Sequence, residues 1–200
     1  MKKMILIDGN SLLFRAYYAS IYGSAQPLTN KAGVPTNAVY VFANMIHKLL
    51  FPLPEHDELH VLVAFDTGKK TFRHEQLESY KAHRKPVPDD LIQQFPIARE
   101  LLKALQLFTF EQDGFEGDDV AGTMAIRAKQ EGYEGEIFTS DRDFLQLCQP
   151  GITVKLIKKG VSDILAMTPE KVVEDFGIIP AQVPDYKGLV GDASDNIPGI

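Results

Sequence analysis

Glu116, Asp118 and Asp119 place three carboxylates within four residues, inside the segment GFEGDDVAG that runs from Gly114 to Gly122. Charges so close raise one another's pKa unless a cation or hydrogen-bond donors hold them ionised, and hard carboxylate oxygens are the usual ligands of Mg²⁺ or Mn²⁺. A plainer role fits the same residues. Acids favour the first turn of a helix, where free N–H groups and the macrodipole stabilise negative charge, and Val120 to Gln130 reads as a helix stopped at Gly132. The triplet alone does not choose between ligands and caps, so the question becomes whether other acids are delivered to the same place.

The elements that could deliver them follow a repeated pattern. Lys3 to Asp8 is a short apolar run that ends in Asp-Gly, as a buried parallel strand would. Leu59 to Phe65 is again apolar and ends at Asp66; Glu136 to Ser140 does so a third time and delivers Asp141 and Asp143 as it enters a short helix around Phe144 to Cys148. Between the first two strands lie a helix from Ser11 to about Tyr22, with Asn10 as its candidate cap, a polar loop from Gly23 to Asn37, and a second helix from about Ala38 to Leu50. That second helix puts Val39, Phe42, Ile46 and Leu49 on one face and stops at Pro52 and Pro54. Strands alternating with helices predict an α/β fold with a mostly parallel central sheet flanked by helices, whose ligands bind beyond the strands' carboxyl ends. Asp8, Asp66, Asp141 and Asp143 would converge there, beside the Glu116 cluster. One terminal aspartate is commonly just a turn former, but three such strand ends plus the triplet favour a metal site.

Gly151 to Met167 reads as two scaffold strands around a Lys159-Gly160 turn, followed by a helix that starts at Thr168-Pro169-Glu170 and ends at Gly177. The last stretch, KGLVGDASDNIPGI, adds Asp192 and Asp195, which share one side if the segment is helical or tightly turned; as a plainer alternative it is a polar loop.

The segment Gly68 to Pro86 has the opposite charge. Lys69, Lys70, Arg73, Lys81, Arg84 and Lys85 outnumber Glu75 and Glu78 and give it a net +4 in a chain whose overall charge is −6. A basic strip in an acidic protein suits a phosphate partner, and Phe72 and Tyr80 among its cations suit stacking on unpaired bases. A solvated helix would carry the same charges; the strip's place directly after the Asp66 strand end argues that it overhangs the carboxylates. His74 and His83 belong with the phosphate side or with solvent, since Mg²⁺ prefers oxygen.

Two hundred residues at 44% hydrophobic are enough for one domain with a substantial core. The single cysteine, Cys148, excludes a disulfide framework and reads as a small core residue in a reducing compartment. The apolar run Met4 to Ile7 is too short for a signal peptide or a span, so a cytoplasmic, soluble protein is expected. No G-x-G-x-x-G or Walker lysine motif is present, no Ser, Cys or His stands in a convincing triad, and Asp141-Arg-Asp143 lacks the glycine of an EF-hand, with Gln146 in its place.

Taken together, LIDGNSLLFRAYYA, AFD, FRHEQLESYKAHRKP, GFEGDDVAG, TSDRDFLQL and KGLVGDASDNIPGI occur in order between Ile5 and Ile200. In this the chain resembles the 5′ nuclease domain found at the N-terminus of bacterial DNA polymerase I, related to the flap endonucleases. The resemblance implies a flap-endonuclease-like, PIN-like core and a 5′-3′ exonuclease and 5′-flap endonuclease with two ions, Mg²⁺ or Mn²⁺. By it, Asp8, Asp66, Glu116, Asp118 and Asp119 would serve the first ion and Asp141, Asp143, Asp192 and Asp195 the second. Removing these nine acids takes the formal charge from −6 to +3, as a DNA-binding surface requires. Lys69, Lys70, Arg73, Lys81, Arg84 and Lys85 would meet DNA, with Lys81 and Arg84 at the scissile or neighbouring phosphates, Tyr80 stacking near the unpaired 5′ end, and the strip forming an arch over the flap. Implied partners are DNA with a 5′ end or flap, an RNA–DNA hybrid, and a covalently linked polymerase region, with no membrane and a monomeric chain. Residues 1–200 would be the N-terminal part of the catalytic domain, with the family's helix-three-turn-helix falling after Ile200. Val41 stands where a glycine is common in the family. The rival readings are a PIN-type ribonuclease and a non-catalytic, structure-specific DNA-binding module.

Overall fold

The computed structural model describes residues 2–22, 28–51, 57–158 and 161–200. The expected stops at Pro52 and Pro54, the turn at Lys159-Gly160 and the first part of the loop after Gly23 lie outside the described residues.

Among the described residues the central sheet has six strands: β1 (Lys2–Asp8), β2 (Glu58–Ala64), β3 (Phe108–Phe110), β4 (Glu134–Thr139), β5 (Ile152–Ile157) and β6 (Ile164–Met167). Their order is β3-β2-β1-β4-β5-β6, parallel throughout except for the antiparallel β5–β6 pair. From β1 the chain winds outward to β2 and β3, then returns through a helix to β4 on the other side. The sheet therefore has its topological switch between β1 and β4, and the crevice beyond the carboxyl ends at such a switch is where α/β sheets bind ligands.

Alternation along the strands builds two cores. Ile5, Ile7, Val63 and Phe65 face α1 (Gly9–Tyr22), α2 (Asn37–Leu50) and α5 (Gln94–Ala104), meeting Leu12, Leu13, Phe42, Ile46, Ala98 and Leu102. A four-residue helix, α4 (Asp89–Ile92), leads into α5 and adds Leu91 to that core. Met4, Leu6, Leu62 and Ala64 face the other way, onto α6 (Gly117–Gln130), a 3₁₀ turn at Arg142–Leu147 and α7 (Pro169–Phe176). Each fully buried Ile or Leu contributes about 1.5–3 kcal/mol, so the two layers fix the strand ends firmly. Cys148 is buried in the second core and its thiol donates to the Met167 carbonyl at 3.4 Å, with burial pushing its pKa up to about 11.

Thr168 caps α7 and Gly177 ends it in the left-handed region at φ 71°. A 3₁₀ turn at Pro180–Gln182 and α8 (Val183–Val190) follow. The chain finishes as a tight hairpin of β7 (Gly191–Asp192) and β8 (Ile197–Pro198), so the Asp192 segment is turned rather than helical. The basic segment contains only one short helix, α3 (Phe72–Gln76).

One expected cap is replaced. Asn10 lies inside α1, and it is Asp8 Oδ1 that accepts the Ser11 N–H at 2.9 Å. Asn10 turns instead to Asp66, donating to Oδ2 at 2.8 Å and accepting the Asp66 N–H at 3.2 Å. The physical reason is register: Asp8 and Ala64 are paired across parallel strands, so the residues just past each strand end meet.

Candidate active site

Acids from both halves of the chain gather at this rim. Asp8 closes β1 and accepts from Thr139 Oγ1, at the end of β4, at 2.8 Å, bridging the switch point. Burial, opposed by the Ser11 and Thr139 hydrogen bonds, raises its pKa to about 6. Asp66 follows β2 and is held by Asn10 and by the Gly117 N–H at 2.6 Å. A Cβ on Gly117 would lie 3.2 Å from Asp66 Oδ1, which explains a glycine directly before the acid pair. Gly9 is constrained in the same way, since a Cβ there would come within 2.7 Å of the Phe65 ring.

The triplet is both cap and site. Glu116 precedes α6 and is only 6% exposed; its Oε2 receives Lys81 Nζ at 2.6 Å and the Tyr80 hydroxyl at 3.1 Å. Asp119 accepts the Glu116 N–H at 3.0 Å and a two-pronged guanidinium from Arg73, 2.7 Å at each oxygen. Burial alone would raise the Asp119 pKa, but Arg73 and the backbone donor bring it below the usual value. Asp118 is different. Its Oδ1 is buried with no hydrogen-bond partner among the described residues, and burial together with the Glu116 and Asp119 charges pushes its pKa to about 7.

Asp141 follows β4 and accepts the Asp143 N–H at 2.9 Å, with burial the main cause of its raised pKa. Asp143, Asp192 and Asp195 bring one carboxylate oxygen each to within 4.8 Å of one another. Asp192 takes the Ser194 N–H at 2.9 Å and Lys187 Nζ at 2.5 Å, which overcome burial and lower its pKa to about 2. Asp195 is met by Arg84 at 2.7 Å and the Tyr80 hydroxyl at 3.2 Å.

All nine sequence-identified acids line two clefts. The larger, about 1080 Å³, includes Asp8, Asp66, Glu116, Asp118 and Asp141 together with Lys81 and Arg84. The smaller, about 510 Å³, includes Asp118, Asp119, Asp143, Asp192 and Asp195. The division differs from the resemblance-based one at two residues: Asp119 lies on the second cleft, fastened to Arg73, and Asp141 lies on the first. Val41 also lines the larger cleft.

The basic segment is drawn onto the acids rather than held above them. Arg73, Lys81 and Arg84 all pair with site carboxylates, Lys69 pairs with Asp113 at 2.7 Å, and Lys70 and Lys85 are exposed. Lys81 takes a left-handed backbone at φ 57°, its N–H donating to the Asp195 carbonyl at 2.9 Å, and Asn196 Nδ2 reaches the Ser79 carbonyl at 2.8 Å. These bonds tie the strip to the C-terminal hairpin. Tyr80, expected to stack on bases, is only 6% exposed, its ring edge-on to His74 at 5.1 Å. A buried phenol needs an acceptor, and Glu116 and Asp195 supply it. His74 accepts the Thr71 N–H at 3.1 Å and stays within its own turn.

The sequence reading passed over three contributors: Asn10 as the orienter of Asp66, Thr139 as the partner of Asp8, and Lys187 as the cation on Asp143 and Asp192. Lys187 opens the same C-terminal motif as its partner Asp192, a signal that was available.

Chemically, this is a rim of hard oxygen ligands beside donors suited to phosphate. The donor set fits divalent ions: Asp118 Oδ1 is a buried carboxyl oxygen with no hydrogen-bond partner among the described residues, and the carboxylate trio has ligand spacing.

A family model described as 5′-3′ exonuclease, N-terminal resolvase-like domain, matches residues 3–177. The chain is 48% identical over 199 residues to DNA polymerase I of Bacillus caldotenax and 45% identical to that of Bacillus subtilis; each match covers all of this chain and 22% of the relative. The chain thus spans about a fifth of the length of these relatives. Among solved structures, a bacteriophage T5 flap endonuclease in complex with DNA and metal ions matches at TM-score 0.72 and 21% identity over 100% of this chain and 70% of that one. T5 5′-exonuclease with bound zinc matches at TM-score 0.69 and 22% identity over the same shares. Flap endonuclease-1 from Methanococcus jannaschii gives 0.57 and 18% over 98% and 66%. At these identities the structural matches speak for the fold.

Proposed function

Because the chain belongs to the 5′-3′ exonuclease family through its N-terminal resolvase-like domain, we propose that it is the nuclease part of a DNA polymerase I. It hydrolyses phosphodiesters at a DNA 5′ end or 5′ flap, including RNA primers in hybrid, and leaves a 5′-phosphate. The observation that carries this reading is the convergence of nine acids, from Asp8 to Asp195, on two adjoining clefts. Residues 1–200 then form the N-terminal part of a cytoplasmic, monomeric nuclease domain; no described helix is long and apolar enough to cross a membrane.

In this reading Asp8, Asp66, Glu116, Asp118 and Asp141 hold one divalent ion and Asp143, Asp192 and Asp195 the other, as Mg²⁺ or Mn²⁺. Bound there, the ions supply a hydroxide nucleophile at neutral pH and neutralise the attacking and leaving oxygens. The chain's own side chains do the rest. Asn10 and Thr139 fix the rotamers of Asp66 and Asp8, so ligand oxygens are placed before substrate arrives. Arg73 neutralises Asp119 and so limits the repulsion on Asp118. Lys81 and Arg84 line the larger cleft and exchange their carboxylate partners for phosphate oxygens, with Lys70 and Lys85 tracking the backbone outside.

The test compares a 5′-flapped DNA, a single-stranded RNA of equal length and blunt duplex, each with Mg²⁺ and with chelator. Mg²⁺-dependent cleavage of the flap in preference to the RNA is expected. Preference for RNA would support a PIN-type ribonuclease, and structure-specific binding without cleavage would support a binding module.

A further inference from the structure

Lys187 sits on α8 with its ammonium 2.7 Å from Asp143 Oδ1 and 2.5 Å from Asp192 Oδ2. Those two acids and Asp195 form the trio whose oxygens lie within 4.8 Å of one another. One ammonium shared by two of three clustered carboxylates sets a positive charge against the same two side chains that a divalent ion in the trio would use. A lysine ammonium carries a full positive charge at neutral pH. An incoming ion therefore meets a tethered positive charge already in place. The side chain has a second address. Among the described residues Lys187 and Asp118 are the two that line both clefts, and a flexible four-carbon stem can turn an ammonium from one to the other.

We propose that Lys187 is an internal counter-cation, which holds Asp143 and Asp192 in the resting protein and yields them to a divalent ion when a substrate phosphate draws its ammonium into the larger cleft. The inference rests on the nuclease reading above and adds a regulation to it. Occupation of the second cleft and binding of the nucleic acid are coupled, and such coupling is reciprocal. Arg84 on Asp195 acts in the same sense from a more exposed position, its side chain 53% accessible against 34% for Lys187.

The test reads metal binding rather than turnover. Mn²⁺ is titrated into the wild-type chain, Lys187→Met and Lys187→Arg by electron paramagnetic resonance of free Mn²⁺, with and without deoxythymidine 5′-monophosphate, which has no phosphodiester to cleave. Lys187→Met should tighten the weaker Mn²⁺ step about tenfold, the equivalent of one lost charge-assisted contact, while Lys187→Arg stays within about twofold of wild type. The mononucleotide should tighten that step in the wild type and leave Lys187→Met unchanged. An unchanged or weaker step in Lys187→Met overturns the proposal. A second readout uses the wild type alone: acetylation of Lys187 by an N-hydroxysuccinimide ester, followed by mass spectrometry, should rise several-fold on Mn²⁺ addition, and a constant yield overturns the proposal. Two Mn²⁺ steps indifferent to Lys187 would remove the counter-cation yet leave the nuclease standing. Absence of Mn²⁺ uptake in every variant, together with absence of flap cleavage, would remove both.

Discussion

The two ends of the same parallel sheet treat charge in opposite ways. Where the strands begin, acids are matched by lysines: Lys2 reaches Glu58 at 2.8 Å and Lys3 reaches Glu136 at 3.1 Å. Hydrogen bonds from Lys2, Tyr133 and His60 hold the Glu58 pKa at about 2. Where the strands finish, nine acids crowd together, and Asp8 and Asp118 are pushed to about 6 and about 7. Pairing at the first end serves the fold, whereas the excess at the second is offset only in part, by Arg73, Lys81, Arg84 and Lys187, and a bound cation would offset the rest. Perturbed carboxylates in a cleft are a functional signature for this reason.

Three substitutions sharpen or break that contrast. Asp118→Asn should have the largest effect, a loss of roughly 10³-fold in kcat on the flapped DNA. In chelator the same change should raise Tm, because a neutral amide relieves the repulsion from Glu116 and Asp119. A fall in both would make Asp118 a fold residue and erase the contrast. Asp192→Asn, on the more exposed hairpin, should cost about 10-fold at low Mg²⁺ and recover as Mg²⁺ rises, which titration of initial rate against Mg²⁺ would follow; loss that no Mg²⁺ restores contradicts a ligand role. Glu58→Gln should leave cleavage unchanged and lower Tm only slightly. The Glu58 pKa is depressed in the folded state, so its contribution is present above its unfolded value of about 4.5 and vanishes as pH falls toward about 2. Melting curves of both proteins should therefore converge across that window, and a gap that persists at low pH would assign the effect to packing.

Much of this was legible because an apolar run broken by aspartate encodes two facts at once, a buried strand and the residue at its end. Asp8, Asp66 and Asp141 could be placed on one rim from that pattern alone, and the layered sheet followed from the alternation of strands with helices. Strand β3 was not legible: three residues carry no periodicity, and Phe108 at 64% exposure lies on an edge. The inward turn of the basic segment was equally hidden. Arg73 meets Asp119 across 46 positions and Lys81 meets Glu116 across 35, pairings that composition cannot distinguish from a solvated or DNA-facing strip. For the same reason Tyr80 reads as an exposed stacker until its neighbours are known.

One oxygen of each of Asp8, Asp141 and Asp192 is fastened to an amide two or three residues ahead, at Ser11, Asp143 and Ser194. That clasp has the reach of a single methylene. Lengthening any of these side chains to glutamate would unfasten the turn while keeping the charge, so the backbone by itself gives a reason for the shorter acid at these positions. Glu116, gripped by lysine and tyrosine side chains instead, is where the longer acid fits.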